Sequence, residues 1–161
     1  MFGFFHPIFV QPPTRMPLPK KKKSAASTGF LLWQAGNAWQ RKMKSVLDPV
    51  GITHVQFLLL DSLEHLGALN HPVSQVTLSR VAGTDVMMTW KVIRLLEKKK
   101  LVTRKVSKTD ARIFLLGMTR EGSRALAKAK TVVLKTESKL FSKLVLEHEK
   151  FAKCLAMIAE D

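Results

Sequence analysis

Basic side chains are concentrated in one stretch of the sequence, between residues 80 and 112. The stretch holds ten basic and three acidic residues, a net charge of +7, within a chain of 161 residues that carries +15. Clustered cationic groups bind phosphate, so the pattern favours a polyanionic partner. The alternative is a solvated face of a basic protein. The basic residues are Arg80, Lys91, Arg94, Lys98, Lys99, Lys100, Arg104, Lys105, Lys108 and Arg112.

Composition excludes several classes of protein. Hydrophobic residues make up 46% of the chain at a mean hydropathy of +0.02, which is enough for a buried core. The single cysteine, Cys154, excludes an internal disulfide framework and a cysteine-rich zinc site. No apolar run approaches the roughly 18 residues that a membrane span needs. We therefore expect a soluble, cytosolic domain with no membrane partner.

The residue types that carry catalysis or bind metals do not occur in a working arrangement. There is no nucleophile–base–acid set, no glycine-rich phosphate loop and no paired carboxylates, so we predict neither an enzyme nor a cofactor. His54, His65, His71 and His148 include no pair at i, i+4 spacing on one helix, so we predict no metal site. Cys154 is expected to be inert packing, with an oxidant sensor as the alternative.

The first 28 residues differ in composition from the rest. They contain five of the seven prolines and the lysine run 20–23, and carry a charge of +5. Because proline breaks helices and removes backbone donors, we predict a flexible tail over 1–28 and a single domain over 29–161. The lysine run is either a nonspecific phosphate-binding arm or a solvated segment.

Helical spacing of apolar residues predicts a first helix over 30–47, ended by Pro49-Val50-Gly51. Thr53 and Gln56 have the spacing of a capping box, in which the hydroxyl accepts from one free backbone N–H and the amide reaches back to another. A second, heavily buried helix is predicted to run from there to about His65.

A helix-turn-helix follows. Ser74 is the predicted cap of a short helix over 75–81, Gly83 makes the turn, and Thr84 or Asp85 caps a helix that runs to about Lys99. The spacing divides this second helix into two faces. One face holds Thr89, Val92, Ile93 and Leu96, and the other holds Met87, Trp90, Lys91, Arg94 and Lys98.

The remaining segments complete a winged helix. Two β-prone runs, 101–106 and 113–118, flank a polar, basic linker and predict a hairpin. Thr119 is expected to cap a long helix to about Phe141, and a last helix covers about 146–159. We predict a mainly α fold with a small β-hairpin (α+β). In it a winged helix-turn-helix, at about 52–118, is flanked by helical dimerisation arms at about 29–48 and 119–160.

From Gly51 to Leu126 this order of segments resembles the MarR family of bacterial transcriptional regulators. The match depends on several motifs in register, since any one alone would be weak. They are Gly51-Ile52-Thr53-x-x-Gln56-Phe57, Ser74-Gln75-x-x-Leu78-Ser79, Val92-Ile93-Arg94-Leu95-Leu96-Glu97-Lys98-Lys99-x-Leu101-Val102, Asp110-Ala111-Arg112 and Met118-Thr119-Arg120-Glu121-Gly122.

Two departures from the family pattern stand out. Lys100 occupies a position that is generally glycine, where the chain leaves the helix in a left-handed conformation, at a cost of about 1 kcal/mol. Met87, Met88 and Trp90 stand where small hydroxyl residues are common. The second departure bears on base specificity more than on DNA binding itself.

The resemblance implies that the helix over about 85–99 is a recognition helix, which enters the major groove and reaches base edges with its N-terminal half. Lys91 and Arg94 are predicted to contact guanine edges or phosphate, and Met87, Met88 and Trp90 thymine methyls or sugars. The alternative is that Met87, Met88 and Trp90 belong to the hydrophobic core.

In the hairpin, which corresponds to the wing, Arg112 is the predicted minor-groove residue. Asp110 would orient its guanidinium through a charge-assisted hydrogen bond. The alternative is a salt bridge that only stiffens the hairpin tip. Contacts to the DNA backbone, which add affinity and salt dependence, are predicted for Ser74, Gln75, Lys99, Lys105 and Lys108.

The resemblance also implies a homodimer in which the first helix and the last two helices intertwine. The apolar residues of those helices support this independently, since one small domain cannot bury them all. They are Trp33, Trp39, Phe141, Leu144, Phe151 and Leu155. The family's usual small-molecule effector pocket would be lined by Trp33, Trp39, His54 and Phe57, for which an ordinary core is the alternative.

These inferences converge on a cytoplasmic, bacterial nucleoid-associated regulator of transcription. We expect a homodimeric repressor that binds double-stranded DNA at a pseudo-palindromic operator and is released by a small aromatic or phenolic ligand. The alternative is a nonspecific architectural protein that binds nucleic acid through its charge. A purely structural dimerisation module is a third hypothesis, but it leaves the basic wing unexplained.

Overall fold

The structure is a computed structural model that describes residues 27–69, 73–107, 110 and 112–159. The predicted tail, apart from Ser27 and Thr28, and the predicted backbone contact Lys108 lie outside these residues. The helices are α1 (Thr28–Leu47), α2 (His54–Ala68), α3 (Gln75–Val81), α4 (Val86–Lys98), α5 (Arg120–Phe141) and α6 (His148–Ala159). The strands are β1 (Val73–Ser74), β2 (Val102–Val106) and β3 (Phe114–Met118). The predicted mainly α, winged-helix fold is confirmed.

Side-chain caps fix where five of the helices begin. The predicted capping box is present, with Thr53 Oγ1 accepting from the Gln56 N–H and Gln56 Oε1 accepting from the Thr53 N–H, both at 3.2 Å. Of the two candidate caps for α4, Asp85 is the one used. Each cap satisfies a backbone donor that the helix itself cannot pair. The other caps are Ser27 for α1, Ser74 for α3 and Thr119 for α5.

The sheet has three antiparallel strands in the order β1-β3-β2. The predicted hairpin is its larger part, with Val102 opposite Met118 and Val106 opposite Phe114. The third strand, β1, was not predicted. It pairs Val73 with Leu116, and two residues are too few to show the alternation by which a strand is recognised.

Helix α2 lies at the centre of the hydrophobic core. Its Leu59, Leu60 and Leu63 are at most 2% exposed. Burial of side chains of this size contributes about 2 kcal/mol each, so α2 is the element on which the others assemble. The buried residues that surround it are Met43 and Leu47 of α1, Leu78 of α3, Ile93 and Leu96 of α4, Val102 of β2, Leu116 of β3, and Leu126, Ala129 and Val133 of α5.

One ionic cluster ties α5 to α2 at the edge of this core. The ammonium of Lys130 lies 2.8 Å from an Asp61 carboxylate oxygen and 2.6 Å from one of Glu64. These hydrogen bonds raise the pKa of Lys130. The three side chains remain partly exposed, so the cluster sets the orientation of the helices more than it adds stability.

Two helix boundaries differ from the prediction. Helix α2 continues about one turn beyond His65, to Ala68, because Leu66 still packs in the core. Helix α6 begins at His148 rather than at about 146. A 3-10 segment, Ser142–Glu147, precedes it and is interrupted at Val145, where φ is 45°.

No single helix in the described part of the chain has the length and apolar character to cross a membrane. The segments Thr28–Val50 and His54–Ala68 pass that test only together, as a pair bent by 75°.

Candidate nucleic-acid interface

The two faces predicted for α4 are present. Thr89, Ile93 and Leu96 are at most 1% exposed and pack into the core. On the other face, Met87 is 63% exposed and Trp90 is 43% exposed. Met88 is exposed as well. These three large residues therefore lie on the surface of the chain and are not part of its hydrophobic core. The exposed cationic residues of this face are Lys91, Arg94 and Lys98.

Hydroxyl groups fix the angle at which α4 leaves the turn. Thr89 donates to the Asp85 carbonyl at 2.9 Å and shares a 2.8 Å hydrogen bond with the Thr84 hydroxyl. The Thr84 N–H donates to the Ser79 carbonyl of α3 at 2.9 Å. Gly83, at φ 61°, supplies the left-handed residue that the tight turn needs. The turn is thus fixed by internal contacts, and the outer face of α4 remains free.

Trp90 and Arg94 lie next to each other on that outer face. The Arg94 guanidinium carbon is 5.7 Å from the centre of the Trp90 ring, a cation–π contact. This contact holds the arginine along the helix surface. The pair presents a flat apolar ring and a planar cation on the same side as Met87.

The end of α4 confirms that Lys100 adopts a left-handed conformation, with φ at 59°. The Lys100 N–H donates to the Glu97 carbonyl at 2.8 Å, and the Leu101 N–H donates to the Leu96 carbonyl at 2.9 Å. These bonds close the helix and start β2 directly. Strand β2 is therefore attached to α4 through one residue with a strained backbone.

The wing tip contains Asp110 and Arg112, but their contact differs from the expected one. An Asp110 carboxylate oxygen accepts from the Arg112 backbone N–H at 2.9 Å, not from its guanidinium. Arg112 is exposed, as is Lys105 on β2. Asp110 thus shapes the turn, and the Arg112 side chain extends from it without an ion pair among the residues described.

Arg104 has a structural role that the sequence did not predict, where it is only one of the basic residues of the stretch 80–112. The Arg104 side chain is 7% exposed, and one guanidinium nitrogen lies 3.7 Å from a Glu97 carboxylate oxygen of α4. Its Nε and Nη1 have no hydrogen-bond partner in the described part of the chain. The alternation of residues along β2 could have predicted this burial, because Val102 and Arg104 point inward while Thr103 and Lys105 point outward.

Lys99 is also placed differently from the prediction. Its ammonium donates to the Gly51 carbonyl at 2.8 Å and to Gln56 Oε1 at 3.1 Å, so it joins the end of α4 to the start of α2. This internal role differs from the phosphate contact expected for it. Of the other predicted backbone contacts, Ser74 caps α3 through a 3.1 Å bond from Thr77, and Gln75 is partly buried at the start of α3.

Three of the four predicted pocket residues come together. The Trp39 and His54 rings meet edge to face at 4.5 Å, and Phe57 lies 6.3 Å from His54. Trp33 is 64% exposed and stacks on Phe30 instead. Burial lowers the pKa of His54, partly opposed by the carboxylate of Glu137, so this imidazole tends to be neutral.

An open apolar groove of about 550 Å³ lies between α1, α5 and α6. Leu32 and Trp39 of α1 face Phe141 of α5 and Phe151 of α6 across it. Apolar side chains continue outside the groove on α1, on α6 and on the 3-10 segment that precedes α6. They include Leu31, Trp33, Val145, Leu146, Met157 and Ile158, which are at least half exposed.

Comparison with known proteins identifies this arrangement. Residues 52–114, from the start of α2 to the wing, match the MarR family. The chain is 39% identical over 116 residues to an uncharacterised HTH-type transcriptional regulator of Bacillus subtilis, YdcH. The aligned region covers 72% of this chain and 79% of YdcH.

Two solved structures share the fold. The Mycobacterium tuberculosis regulator MosR, solved with DNA, superimposes with a TM-score of 0.72 at 17% identity. The superposition covers 84% of this chain and 95% of the MosR chain. CouR from Rhodococcus jostii, solved with p-coumaroyl-CoA, gives 0.70 at 25% identity, covering 84% and 96%. CouR is described as a transcriptional repressor and has also been solved bound to a 23-mer DNA duplex. The helix-turn-helix, the wing and these relatives together establish that the chain belongs to the MarR family of DNA-binding transcriptional regulators.

Proposed function

We propose that the chain is a sequence-specific repressor that acts as a homodimer on a pseudo-palindromic operator. The observation that carries this proposal is the outer face of α4, where Met87, Trp90, Lys91 and Arg94 are exposed together beside the wing. Exposed large apolar residues are costly in water unless a partner covers them. A DNA major groove offers thymine methyls and sugars for the apolar residues and acceptors for the cations.

Each group would contribute differently to binding. Arg94, held along the helix by Trp90, would contact a guanine edge or a phosphate, and Lys91 would act as a point charge on the backbone. Arg112 extends from the wing tip without an ion pair in the described residues, and would enter a narrow minor groove. Lys105 and Lys108 would add phosphate contacts that carry affinity but no sequence information.

A second copy of the chain is the proposed occupant of the apolar groove between α1, α5 and α6. The groove and the exposed apolar residues around it form a continuous surface on the helices that we assign to dimerisation, 29–48 and 119–160. Two copies joined there would present two winged helices, each about 52–118, to successive turns of a duplex.

Release by a small aromatic ligand is the proposed means of control. Trp39, His54 and Phe57 provide aromatic rings close to the junction of α1 and α2, and CouR, of the same fold, has been solved with p-coumaroyl-CoA. A neutral imidazole at His54 can donate or accept a hydrogen bond from a phenol or a carboxylic acid.

One comparison tests the central proposal against the alternative of a nonspecific architectural protein. The affinity of the full chain for the DNA upstream of its own gene should exceed that for a scrambled duplex by about a thousandfold at physiological salt. A ratio near one would defeat the repressor and favour the architectural protein. Sedimentation equilibrium should give twice the 18.1 kDa mass of one chain, and a monomer would contradict the assignment of the groove.

A further inference from the structure

A second groove, on α1 and α5, has a chemical character that the proposed function does not use. It encloses about 740 Å³ between the C-terminal end of α1, the following 3-10 turn, and the middle and C-terminal parts of α5. It meets the apolar groove described above only at Leu140 and Lys143, which line both.

Five lysines surround this second groove, which we call the lysine groove. No acidic residue lines it, and none of the five ammonium groups has an ion pair or hydrogen bond among the residues that the structure describes. Outside the groove, some described lysines have partners, such as Lys44, Lys130 and Lys153, and others, such as Lys91 and Lys105, do not. The five are Lys42 of α1, Lys128, Lys135 and Lys139 of α5, and Lys143 just beyond it.

The lysines of α5 follow one another along one side of the helix. Lys135 and Lys139 are four residues apart, and Lys128 precedes Lys135 by seven, so the three span on the order of 16 Å. Like charges at i, i+4, such as Lys135 and Lys139, repel each other and destabilise a helix slightly. An anion bound along the row would convert this repulsion into attraction, and its length suits more than one anionic group.

Apart from Ser45 and Thr136, the residues between the lysines are apolar. Val46, Pro49 and Val50 line one side of the groove, and Val132 and Leu140 line the other. An inorganic anion or a sugar–phosphate backbone would leave these groups uncovered. A ligand that satisfies both parts of the groove therefore has an apolar tail as well as a polyanionic head.

We propose that the lysine groove binds a small amphiphilic molecule with an apolar tail and a head that carries two or more phosphate groups. Lysine ammonium groups bind phosphate as point charges, and several of them can follow the successive charges of one head group. The aliphatic stems of the same lysines and the valines of the groove would cover the tail. This site is separate from the DNA-binding face and does not require that the protein bind an operator.

Titration calorimetry of the full chain with three probes tests the proposal. Lauroyl-coenzyme A, below its micelle concentration, has both a tail and a polyphosphate head, coenzyme A has only the head, and laurate has only the tail and one carboxylate. Lauroyl-coenzyme A should bind at least about tenfold more tightly than either of the others, since tail burial adds to charge pairing. Equal affinity for coenzyme A, or for laurate, would overturn the assignment of an amphiphile.

A matched pair of triple variants locates the site. The groove variant is Lys128→Gln/Lys135→Gln/Lys139→Gln. The control, Lys44→Gln/Lys150→Gln/Lys153→Gln, removes the same charge from exposed lysines outside the groove. The groove variant should weaken lauroyl-coenzyme A binding at least about tenfold, and the control less than about twofold. Equal losses in the two variants would reduce the effect to net charge and overturn the site.

Binding of a nonoperator DNA duplex distinguishes this site from a nucleic-acid surface. The groove variant should keep the duplex affinity of the control, because its lysines lie away from α4 and the wing. A loss in the groove variant as large as that in Lys91→Gln/Arg94→Gln would make the lysine groove part of the DNA surface and overturn the proposal. Thermal melts should be equal or higher for the groove variant, since glutamine is a good helix former and the repulsion is gone.

Discussion

The guanidinium of Arg104 lies 4.2 Å from the centre of the Phe114 ring, on the neighbouring strand of the wing. One guanidinium nitrogen of the same arginine lies 3.7 Å from a carboxylate oxygen of Glu97, in the last turn of α4. A buried cation on an aromatic face thus joins the hairpin to the recognition helix. The contact is stronger than an exposed cation–π pair because the side chain is almost fully desolvated.

Replacing Arg104 should separate packing from charge. Arg104→Ala should lower the free energy of unfolding by about 2 kcal/mol, since it removes the stack on Phe114 and leaves a cavity. Arg104→Met should lower it by less than about 1 kcal/mol, because the stem remains and two unpaired nitrogens disappear. Urea unfolding at fixed protein concentration measures both. Equal losses would mean that the Glu97 contact and the ring stack outweigh the cost of burying the charge.

Gly122 allows the wing and α5 to approach. A β-carbon at this position would collide with the carbonyl oxygen of Leu101, which already accepts from the Thr119 N–H. Gly122→Ala should therefore destabilise the protein by about 2 kcal/mol. Gly67→Ala, in α2 with open space around it, should be neutral or stabilising by up to about 1 kcal/mol. Thermal melts of the two variants compare them, and a neutral Gly122→Ala would show that the strand can shift.

Lys100 stores backbone strain at the end of α4. Lys100→Gly should raise the free energy of unfolding by about 0.5 kcal/mol, because relief of the left-handed strain exceeds the added entropy of the unfolded chain. Lys98→Gly removes the same charge from the last residue of α4, whose conformation is right-handed, and should lower it by up to about 1 kcal/mol. Chemical denaturation distinguishes the two signs. Destabilisation by both variants would indicate that the Lys100 side chain makes a stabilising contact.

Trp90 is a test of the outer face of α4. Trp90→Ala should weaken operator binding about tenfold or more by removing a ring that covers sugars or methyls and orients Arg94. The melting temperature should change little, since 43% of this residue is exposed. Fluorescence anisotropy with the operator duplex and a thermal melt give the two values. A large fall in melting temperature would show that Trp90 stabilises the fold and would contradict its assignment to the DNA-binding face.

Arg112 is a test of the wing. Arg112→Ala should reduce operator affinity at least about tenfold, and Arg112→Lys should restore only part of it, because an arginine suits a narrow minor groove better. Circular dichroism should show the fold unchanged. Unaffected binding would show that the Arg112 side chain makes no contact with the operator.

Patterns that repeat over many residues were sufficient to predict most of the fold. Helical spacing and caps at Thr53, Asp85 and Thr119 located the helices, because each cap pairs with a donor only three residues away. The left-handed Lys100 was expected from its place in the family pattern. Strand β1 and the 3-10 segment before α6 were missed, since they depend on a distant pairing and on an irregular residue, Val145.

The candidate site was predicted only in part, because charge alone does not tell which way a side chain points. Arg104 and Lys99 belong to the same basic stretch as Arg94, yet one is buried under the wing and the other bonds to the start of α2. Their roles depend on residues about seven to 48 positions away in sequence. A long-range hydrogen bond of this kind leaves no local pattern.

The bonds from Lys99 to Gly51 and Gln56 have a mechanical consequence. Through them the C-terminal end of α4 is bonded to the turn where α1 meets α2, so a movement of that turn is transmitted to α4 through Lys99. In the proposed homodimer, a small change in the angle between α1 and α2 would change the distance between the two α4 helices. In the proposed homodimer, the ammonium of Lys99 would couple the angle between α1 and α2 to the separation of the two α4 helices.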